Sequence, residues 1–318
     1  MRDPVQAFKA AILAALGYAP DVIEPGRLYR FATSDKRGDS SGWCKLFDDC
    51  RGGVFGDWRS GAYESWAAAE RATMTLQRRA DRARQIAQAT AERGRAQREA
   101  WTENGARIAK LWGQCVSPVP GDPVTLYLKG RGFGGVWPLP RCLRLHRALP
   151  YWSDNGEKLG TFPAMVAPLV LGGRVVALHR THLTADGRKA DVPTVRKLTG
   201  TAGPLAGACI PLHDPVRGVL GIAEGIETAL AAWLASDVPT VAAYSAGNLA
   251  AWQWPRNVRR VAIFADNDRA GRDAAEALRG RALSAGLRCE VLTPADDGAD
   301  WCNVWAHRDV VSIEGAAA

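Results

Sequence analysis

The chain has 318 residues, enough for two domains and a substantial hydrophobic core. Its net charge of +8 suits a polyanionic partner such as nucleic acid. No run approaches the roughly 20 apolar residues of a membrane span, no signal-peptide block follows a basic start, and the seven cysteines form no Cys-x-x-Cys pair. We therefore expect a cytoplasmic protein with no membrane partner, no disulfide framework and no zinc.

Residues 1–65 predict a small, mainly β module. An amphipathic helix is indicated over 1–18, and short alternating segments follow at 27–31, 43–47 and 53–58. Aromatic rings can stack on bases and cations can meet phosphates, so the module is a candidate DNA-contacting platform. The alternative, favoured for most of the aromatic residues, is that they form the core of the module itself. The candidate DNA-binding residues are Arg27, Arg30, Lys45, Trp58 and Arg59.

The next stretch is helical in composition and basic. From Tyr63 to Trp112 the chain is rich in Ala, Arg, Gln and Glu, which are good helix formers. Residues 70–100 hold eight Arg and four acidic residues, which accounts for half of the net charge. We predict a basic helical linker over 66–113, and a nucleic-acid-binding arm is the less favoured explanation of the same charge.

Residues 114–212 predict a subdomain that carries a second basic segment. Segments 162–170 and 174–180 form an antiparallel strand pair joined at Gly172-Gly173. Cations gather in and after the second strand, at Arg180, Lys189 and Lys197. His179 and His182 also lie here, but no third ligand accompanies them, so a core or nucleic-acid role is favoured over zinc.

Residues 213–318 alternate apolar runs with helical patterns. The runs 219–223 and 261–265 are short and continuously apolar, which is typical of strands buried on both faces of a parallel sheet, and 238–244 and 287–292 are further candidate strands. Ligands of such sheets bind beyond the carboxyl ends of the strands. The acidic residues that directly follow two of the runs are Glu224, Asp266 and Asp268.

Carboxylates that meet at one sheet edge repel each other unless a cation joins them. Mg²⁺, or Mn²⁺ in its place, prefers a few carboxylates together with waters and substrate phosphates, so phosphoryl chemistry is the leading hypothesis. The alternative is that each acid caps the helix that follows it. The combined spacing, Glu-Gly at one strand end and Asp-x-Asp-x-x-Gly at another, favours the metal.

The segments Glu224–Leu230 and Phe264–Ala275 resemble the two signature motifs of the Toprim fold, and Asp-x-Asp-Arg-Ala-Gly-Arg resembles its bacterial primase version. The resemblance implies that Glu224 is a general acid/base or metal ligand and that Asp266 and Asp268 hold Mg²⁺. A third acidic element follows the strand at 287–292. It offers Asp296, Asp297 and Asp300, of which Asp300 is favoured as a metal ligand, although Cys302 departs from the usual pattern beside it.

Upstream elements resemble the same family. Thr125–Phe133 is similar to the Tyr-Leu-x-x-Arg-Gly element of plasmid and phage primases, and the segment after residue 178 is similar to the basic motif of bacterial-type primases. Residues 42–61 resemble an N-terminal module of plasmid and phage Toprim primases, without the zinc-binding module that many bacterial primases carry. The resemblance implies nucleotide or template contacts by Arg131, Arg180, Lys189, Lys197 and Arg269.

The sequence therefore predicts an α/β protein with a Toprim-type parallel sheet in a primase catalytic core. The predicted domains are 1–65, 66–113, 114–212 and 213–318. The expected activity is Mg²⁺-dependent synthesis of short RNA primers from NTPs on single-stranded DNA, for a plasmid, phage or mobile element. No P-loop is present, so the primase would stand alone, with a replicative helicase as a candidate partner. A Toprim-type nuclease and a non-catalytic protein that binds single-stranded DNA or a replication factor are the alternatives.

Overall fold

The computed structural model describes residues 3–34, 39–57, 62–68, 75–154 and 156–306. The chain divides into two compact units, one within residues 1–100 and 152–159 and the other within 101–151 and 160–318. Within the described residues, no helix has the length and apolar character needed to cross a membrane. The four-part division predicted from the sequence stays a prediction.

The first unit is built on a four-stranded antiparallel sheet, which confirms its predicted β character. Asp3 caps the first helix by accepting a hydrogen bond from Val5 N (3.1 Å), and Gly17 ends it with φ of 74°. One face of the sheet packs on Phe8 and Ile12, and the other packs on Ala89. The elements, with strands in spatial order β1-β2-β3-β4, are α1 (Pro4–Leu16), β1 (Leu28–Phe31), β2 (Gly42–Leu46), β3 (Gly52–Asp57), β4 (Tyr63–Ala67) and α2 (Leu76–Gly113).

Strand β4 occupies a stretch that the composition assigned to a helix. Tyr63 to Ala67 pairs antiparallel with β3, and the Trp66 ring lies 5.4 Å from the Phe8 ring. Pairing with β3 covers an edge that would otherwise expose unsatisfied backbone groups, so tertiary contacts override the local helix propensity. The prediction of a helical start at Tyr63 is therefore wrong, and the long helix α2 begins at Leu76.

The second unit begins with a short helix and an antiparallel sheet. Asp122 caps the helix by accepting from Thr125 N at 2.9 Å, and a π-helical turn, Lys129–Phe133, follows it. The predicted strand pair is present, joined by Gly172 and Gly173 with φ of 55° and 79°. These elements, with strands in spatial order β5-β6-β7-β8, are α3 (Pro123–Leu128), β5 (Arg144–Trp152), β6 (Lys158–Leu171), β7 (Arg174–His182) and β8 (Arg196–Leu198).

A four-stranded parallel sheet completes the second unit and confirms the predicted fold class. The strands lie in the order β10-β9-β11-β12, all parallel, with apolar cores on both faces. One of these cores also contains residues of α4 and of the antiparallel sheet. The elements are β9 (Val219–Ala223), α4 (Ile226–Ser236), β10 (Thr240–Ala242), α5 (Ala246–Ala251), β11 (Arg260–Phe264), α6 (Arg269–Ser284), β12 (Arg288–Leu292) and α7 (Trp301–Ala306).

Gly221 lies in the middle of β9, where the sheet leaves no room for a side chain. A Cβ there would lie 2.6 Å from Thr240 Oγ1 and 2.8 Å from the Phe264 ring. We expect Gly221→Ala to lower the free energy of unfolding by about 1–3 kcal/mol through overpacking, as measured by urea denaturation. The matched control is Gly280→Ala in α6, where no described atom lies within 4 Å of the added Cβ. That change should raise stability by up to about 1 kcal/mol, and equal effects of the two substitutions would contradict the packing argument.

Candidate active site

The parallel sheet brings two of its acidic residues to one cavity. In the register of β9 and β11, Ala223 lies opposite Phe264, so Glu224 and Asp266 follow neighbouring strand ends. Both line a cavity of about 290 Å³, and Asp300 joins them from the loop after β12. Cationic side chains line the same cavity: Arg131, Lys189 and Arg196. The cavity therefore combines a carboxylate cluster with a basic wall.

Asp266 has the most perturbed carboxyl group in this cluster. Burial raises its pKa to about 7, and the neighbouring charges of Glu224, Asp300 and Asp268 act in the same direction. Its Oδ1 atom is buried and has no hydrogen-bond partner among the described residues. A buried carboxylate oxygen without a donor, surrounded by like charges, is suited to bind a cation.

Glu224 has a raised pKa for related reasons. Burial is the main cause and the charge of Asp268 adds to it, while a hydrogen bond from the Ala246 backbone acts in the opposite direction. Gly225, and not Glu224, is the N-cap of α4, and no described side chain caps that helix. The capping explanation weighed for Glu224 is therefore not what the structure contains.

Asp268, in contrast, does cap a helix. Its Oδ1 accepts a hydrogen bond from Gly271 N (2.7 Å) at the start of α6. Steric crowding explains the glycine of Asp-x-Asp-x-x-Gly, because a Cβ at Gly271 would lie 2.4 Å from the carbonyl oxygen of Asp266. The motif thus folds the chain tightly between its two aspartates, and it places Asp268 close enough to raise the pKa of Asp266.

Asn267, between the two aspartates, organises the acidic loop. Its Nδ2 donates to the carbonyl oxygens of Pro294 (3.1 Å) and Asp296 (2.9 Å), and its backbone pairs with Gly298 and Ala299. The loop then turns Asp300 to the cavity, where its Oδ1 accepts from Asn303 N at 2.8 Å. Of the three candidate acids in the described loop, Asp300 lines the cavity, whereas Asp296 and Asp297 are exposed and do not.

The carboxylates do not form a closed metal cage. No three or more His, Cys, Asp or Glu side chains in the described residues are close enough together to hold a metal ion by themselves. Mg²⁺ is usually bound by one or two carboxylates, with waters and phosphate oxygens completing the octahedron. The unpartnered Oδ1 of Asp266, beside Glu224 and Asp300, fits an ion held in that way.

One cation of the basic wall, Arg196, is held by an ion pair to a buried carboxylate. Arg196 Nη2 lies 2.8 Å from Glu227 Oε1, and the Tyr127 hydroxyl donates to the same oxygen at 2.5 Å. Burial favours protonation of Glu227, but Arg196 and Tyr127 outweigh it, so the pKa of Glu227 lies below its usual range. Glu227 is therefore a carboxylate that stays ionised and binds Arg196, one of the cations that line the cavity.

Comparison with known families identifies the part of the chain that carries the carboxylates. A family model described as a Toprim domain matches residues 219–309. Residues 219–309 are a Toprim domain. A second model, described as a domain of unknown function (DUF7146), matches residues 102–209, which include the antiparallel sheet. No curated protein matches the chain.

The chain is also similar to solved structures, at low identity. A DNA primase domain from Pseudomonas aeruginosa is 18% identical with a TM-score of 0.35, over 51% of this chain and 52% of that one. The DnaG primase catalytic domain bound to ssDNA is 16% identical with a TM-score of 0.46, over 67% and 78%. The primase fragment of the bacteriophage T7 primase-helicase protein is 15% identical with a TM-score of 0.36, over 61% and 70%. The chain thus spans about half the length of the first of these.

The predicted cations are divided between two faces of the antiparallel sheet that precedes the Toprim domain. Side chains alternate along a strand, so His179 and Arg180 point to opposite faces, and β8 separates Arg196 from Lys197 in the same way. His179 and Arg196 line the cavity. Arg180 donates to Leu198 O at 2.5 Å, and Lys197 Nζ lies 4.6 Å from the centre of the Tyr151 ring.

None of the remaining predicted residues that the structure describes is among the residues that line the cavity. Arg269 is exposed on α6, with its Nε 3.8 Å from Asp273. In the first unit, Arg27 is exposed beside Glu24 (3.3 Å), and Arg30 donates twice to Ser40 O. Lys45 is buried, and its Nζ lies 2.6 Å from Glu92 Oε2. Trp58 and Arg59 lie outside the described residues.

Sequence reasoning did not assign roles to Tyr127, Glu227 and Tyr244, and it placed Arg196 in the basic segment without a role of its own. All four contribute to the site. Strand alternation could have separated Arg196 from Lys197, but only with the register of β8 known. Tyr244 has φ of 79°, a conformation that is rare outside glycine. Its backbone N–H donates to Glu224 O (2.7 Å), and its ring meets the His179 ring edge-on at 6.0 Å. Strained residues of this kind gather at functional sites.

Protonation of His179 is expected to destabilise the protein in mild acid. Burial lowers its pKa from 6.5 to about 4, so the unfolded chain binds this proton more readily than the folded protein does. The stabilising contribution is intact above about pH 6.5 and is lost as the pH falls towards 4. His179→Phe keeps a ring but cannot take up this proton. Between about pH 7 and pH 5, its free energy of unfolding should therefore fall by about 2 kcal/mol less than that of wild type.

Urea unfolding at a series of pH values measures this difference. His146→Phe is the control, because His146 is less buried and its pKa is lowered by burial to a smaller extent. The assignment would be wrong if wild type and His179→Phe lost equal stability over this range.

Proposed function

We propose that this chain is a DNA primase that synthesises short RNA primers on single-stranded DNA by Mg²⁺-dependent nucleotidyl transfer. The observation that supports this most strongly is the cavity in which Glu224, Asp266 and Asp300 face the cations of the basic wall. A nucleoside triphosphate requires both kinds of group, because its phosphates carry negative charge and its metal ion is positive. The Toprim domain supports the same proposal.

The reaction joins a hydroxyl oxygen to the α-phosphorus of an NTP and releases pyrophosphate. Asp266 and Asp268 would hold Mg²⁺ with Asp300, and the bound ion would neutralise the charge that develops on the reacting phosphate. Glu224, whose pKa is raised, is suited to accept the hydroxyl proton or to contribute to the metal site. Arg131, Lys189 and Arg196 would bind the phosphates and stabilise the departing pyrophosphate.

The division of the cations between two faces suggests separate partners for them. We assign the cavity-facing cations to the nucleotide, and we assign Arg180 and Lys197 on the opposite face to the phosphates of the template. Arg269, Arg27 and Arg30 remain candidate nucleic-acid contacts. A plasmid, phage or mobile element as the replicon, and a replicative helicase as partner, belong to the same proposal.

Replacing the aspartates of the Asp-x-Asp pair tests the assignment directly. We expect Asp266→Asn or Asp268→Asn to lower primer synthesis more than about 100-fold, because each removes a negative charge that holds the metal. Both variants should remain folded, since Asn is a good helix cap at position 268 and position 266 loses a repelled charge. The assay resolves products from single-stranded DNA, labelled NTPs and Mg²⁺ on a denaturing gel.

Glu276→Gln is the matched control, because Glu276 lies on α6 and pairs with Arg279 at the surface (3.1 Å). Its product yield should equal that of wild type. A primer yield near that of wild type from either aspartate variant would contradict the assignment. Cleavage of the template without new RNA would instead indicate a nuclease that uses the same residues.

The two cation faces should respond differently to substitution. Arg196→Ala is expected to raise the KM for NTP by about tenfold or more, because a charge-assisted contact to phosphate is lost. Lys197→Ala should leave this KM nearly unchanged and weaken single-stranded DNA binding, lowering the slope of log K against log salt by about 0.7. Primer-synthesis kinetics and fluorescence anisotropy across a salt series measure the two effects. Equal changes in KM for both variants would contradict the division of roles.

A further inference from the structure

A buried chain of hydrogen bonds joins three elements of the second unit at the basic wall. The Tyr127 hydroxyl comes from α3, Glu227 from the first turn of α4, and Arg196 from β8. Both donors meet the same oxygen of Glu227, at 2.5 Å and 2.8 Å. The three residues are therefore one connected unit, although 100 positions separate the first two in the sequence.

The residues of this hydrogen-bond chain differ in burial, and exposure increases from Glu227 to Arg196. The Glu227 side chain is 5% exposed, whereas the Arg196 side chain is 46% exposed and lines the cavity. Here the anion is anchored in the core, and the cation extends from it towards the space beside Asp266 and Lys189.

Arginine has many rotamers, and a free guanidinium would spend little time in any one position. The bond to a buried carboxylate removes that freedom before a ligand arrives, which lowers the entropic cost of binding it. Tyr127 in turn fixes the carboxylate, because its phenol ring is buried in the core and its hydroxyl donates to Glu227 Oε1. Each member thus restricts the next, and the last member faces the cavity.

We propose that Tyr127 and Glu227 are positioning residues that hold the Arg196 guanidinium towards a polyphosphate in the cavity. This inference rests on the proposed function of that cavity. Glu227 also supplies the compensating charge that lets a guanidinium enter a partly buried site. Its carboxylate is committed to Arg196 and Tyr127, so it is separate in role from Glu224, which lies just before α4.

Two variants weaken the chain at different points. Tyr127→Phe removes one hydroxyl and keeps the ring, and Glu227→Gln keeps the shape and removes the charge. Matched controls are Tyr151→Phe, which removes a buried hydroxyl bonded to Thr194 N (3.0 Å), and Glu290→Gln, which breaks the surface pair with Arg260 (2.8 Å). Circular dichroism and thermal melting establish that each protein is folded.

The first readout is calorimetric affinity for inorganic tripolyphosphate without metal. We expect both variants to bind it about tenfold more weakly than wild type, and both controls to match wild type. The second readout is primer synthesis, in which the variants should raise the KM for NTP by a similar factor with kcat changed less than about twofold. In an Arg196→Ala background, Tyr127→Phe should add no further loss, because its effect acts through that guanidinium.

The outcomes separate this inference from the proposed function. Unchanged tripolyphosphate affinity in both variants would overturn the positioning role, and so would losses that add fully to that of Arg196→Ala. If Glu227→Gln does not fold, Tyr127→Phe decides alone. If wild type makes no primers but the variants bind tripolyphosphate more weakly, the positioning role stands and the primase assignment falls.

Discussion

The repulsion among carboxylates at one edge of the parallel sheet is the constraint on which the rest of this structure depends. Four acidic side chains influence each other there, and burial together with its neighbours raises the pKa of Asp266 to about 7. Like charges remain together only where the backbone holds them and cations or dipoles offset them. The sheet supplies the first requirement, because β9 and β11 are buried on both faces and end in register. The basic wall of Arg131, Lys189 and Arg196 supplies the second.

The parts of the fold that follow from local pattern could be predicted from the sequence. The runs 219–223 and 261–265, which form most of β9 and β11, are continuously apolar and are followed by acid, so the type, direction and ligand edge of these strands follow from burial on both faces. Strands β4 and β8 could not be predicted in this way. Tyr63–Ala67 lies in a stretch with helix-forming composition, and Arg196–Leu198 has only three residues. Each is a strand because a neighbour offers an unpaired edge, and local propensity carries no information about that neighbour.

The same distinction applies to the site. Glu224 and Asp266 could be placed because each lies within two residues of a strand end, whereas the cations depend on which face of a strand they occupy. Arg180 and Lys197 share one face, and His179 and Arg196 share the other, so a one-residue difference decides which cation lines the cavity. Lys45 makes the related point in the first unit. Its charge suggested a phosphate contact, but the structure buries it against Glu92, and only the packing of α2 determines that.

The segment that leads into α4 shows how one residue type performs two roles at short range, because Glu224 precedes the helix and Glu227 lies in its first turn. Glu224 and Glu227 are three positions apart, yet burial and Asp268 raise the pKa of the first, while Arg196 and Tyr127 lower the pKa of the second. Environments that push paired carboxyl groups in opposite directions are the usual basis for separate acid and base roles. Here the division is between a group suited to exchange a proton or bind a metal and a group that stays ionised to hold a cation. Because Glu224 lies between β9 and α4 and Glu227 lies in the first turn of α4, one continuous segment carries an acid of the carboxylate cluster and the ion-pair partner of Arg196.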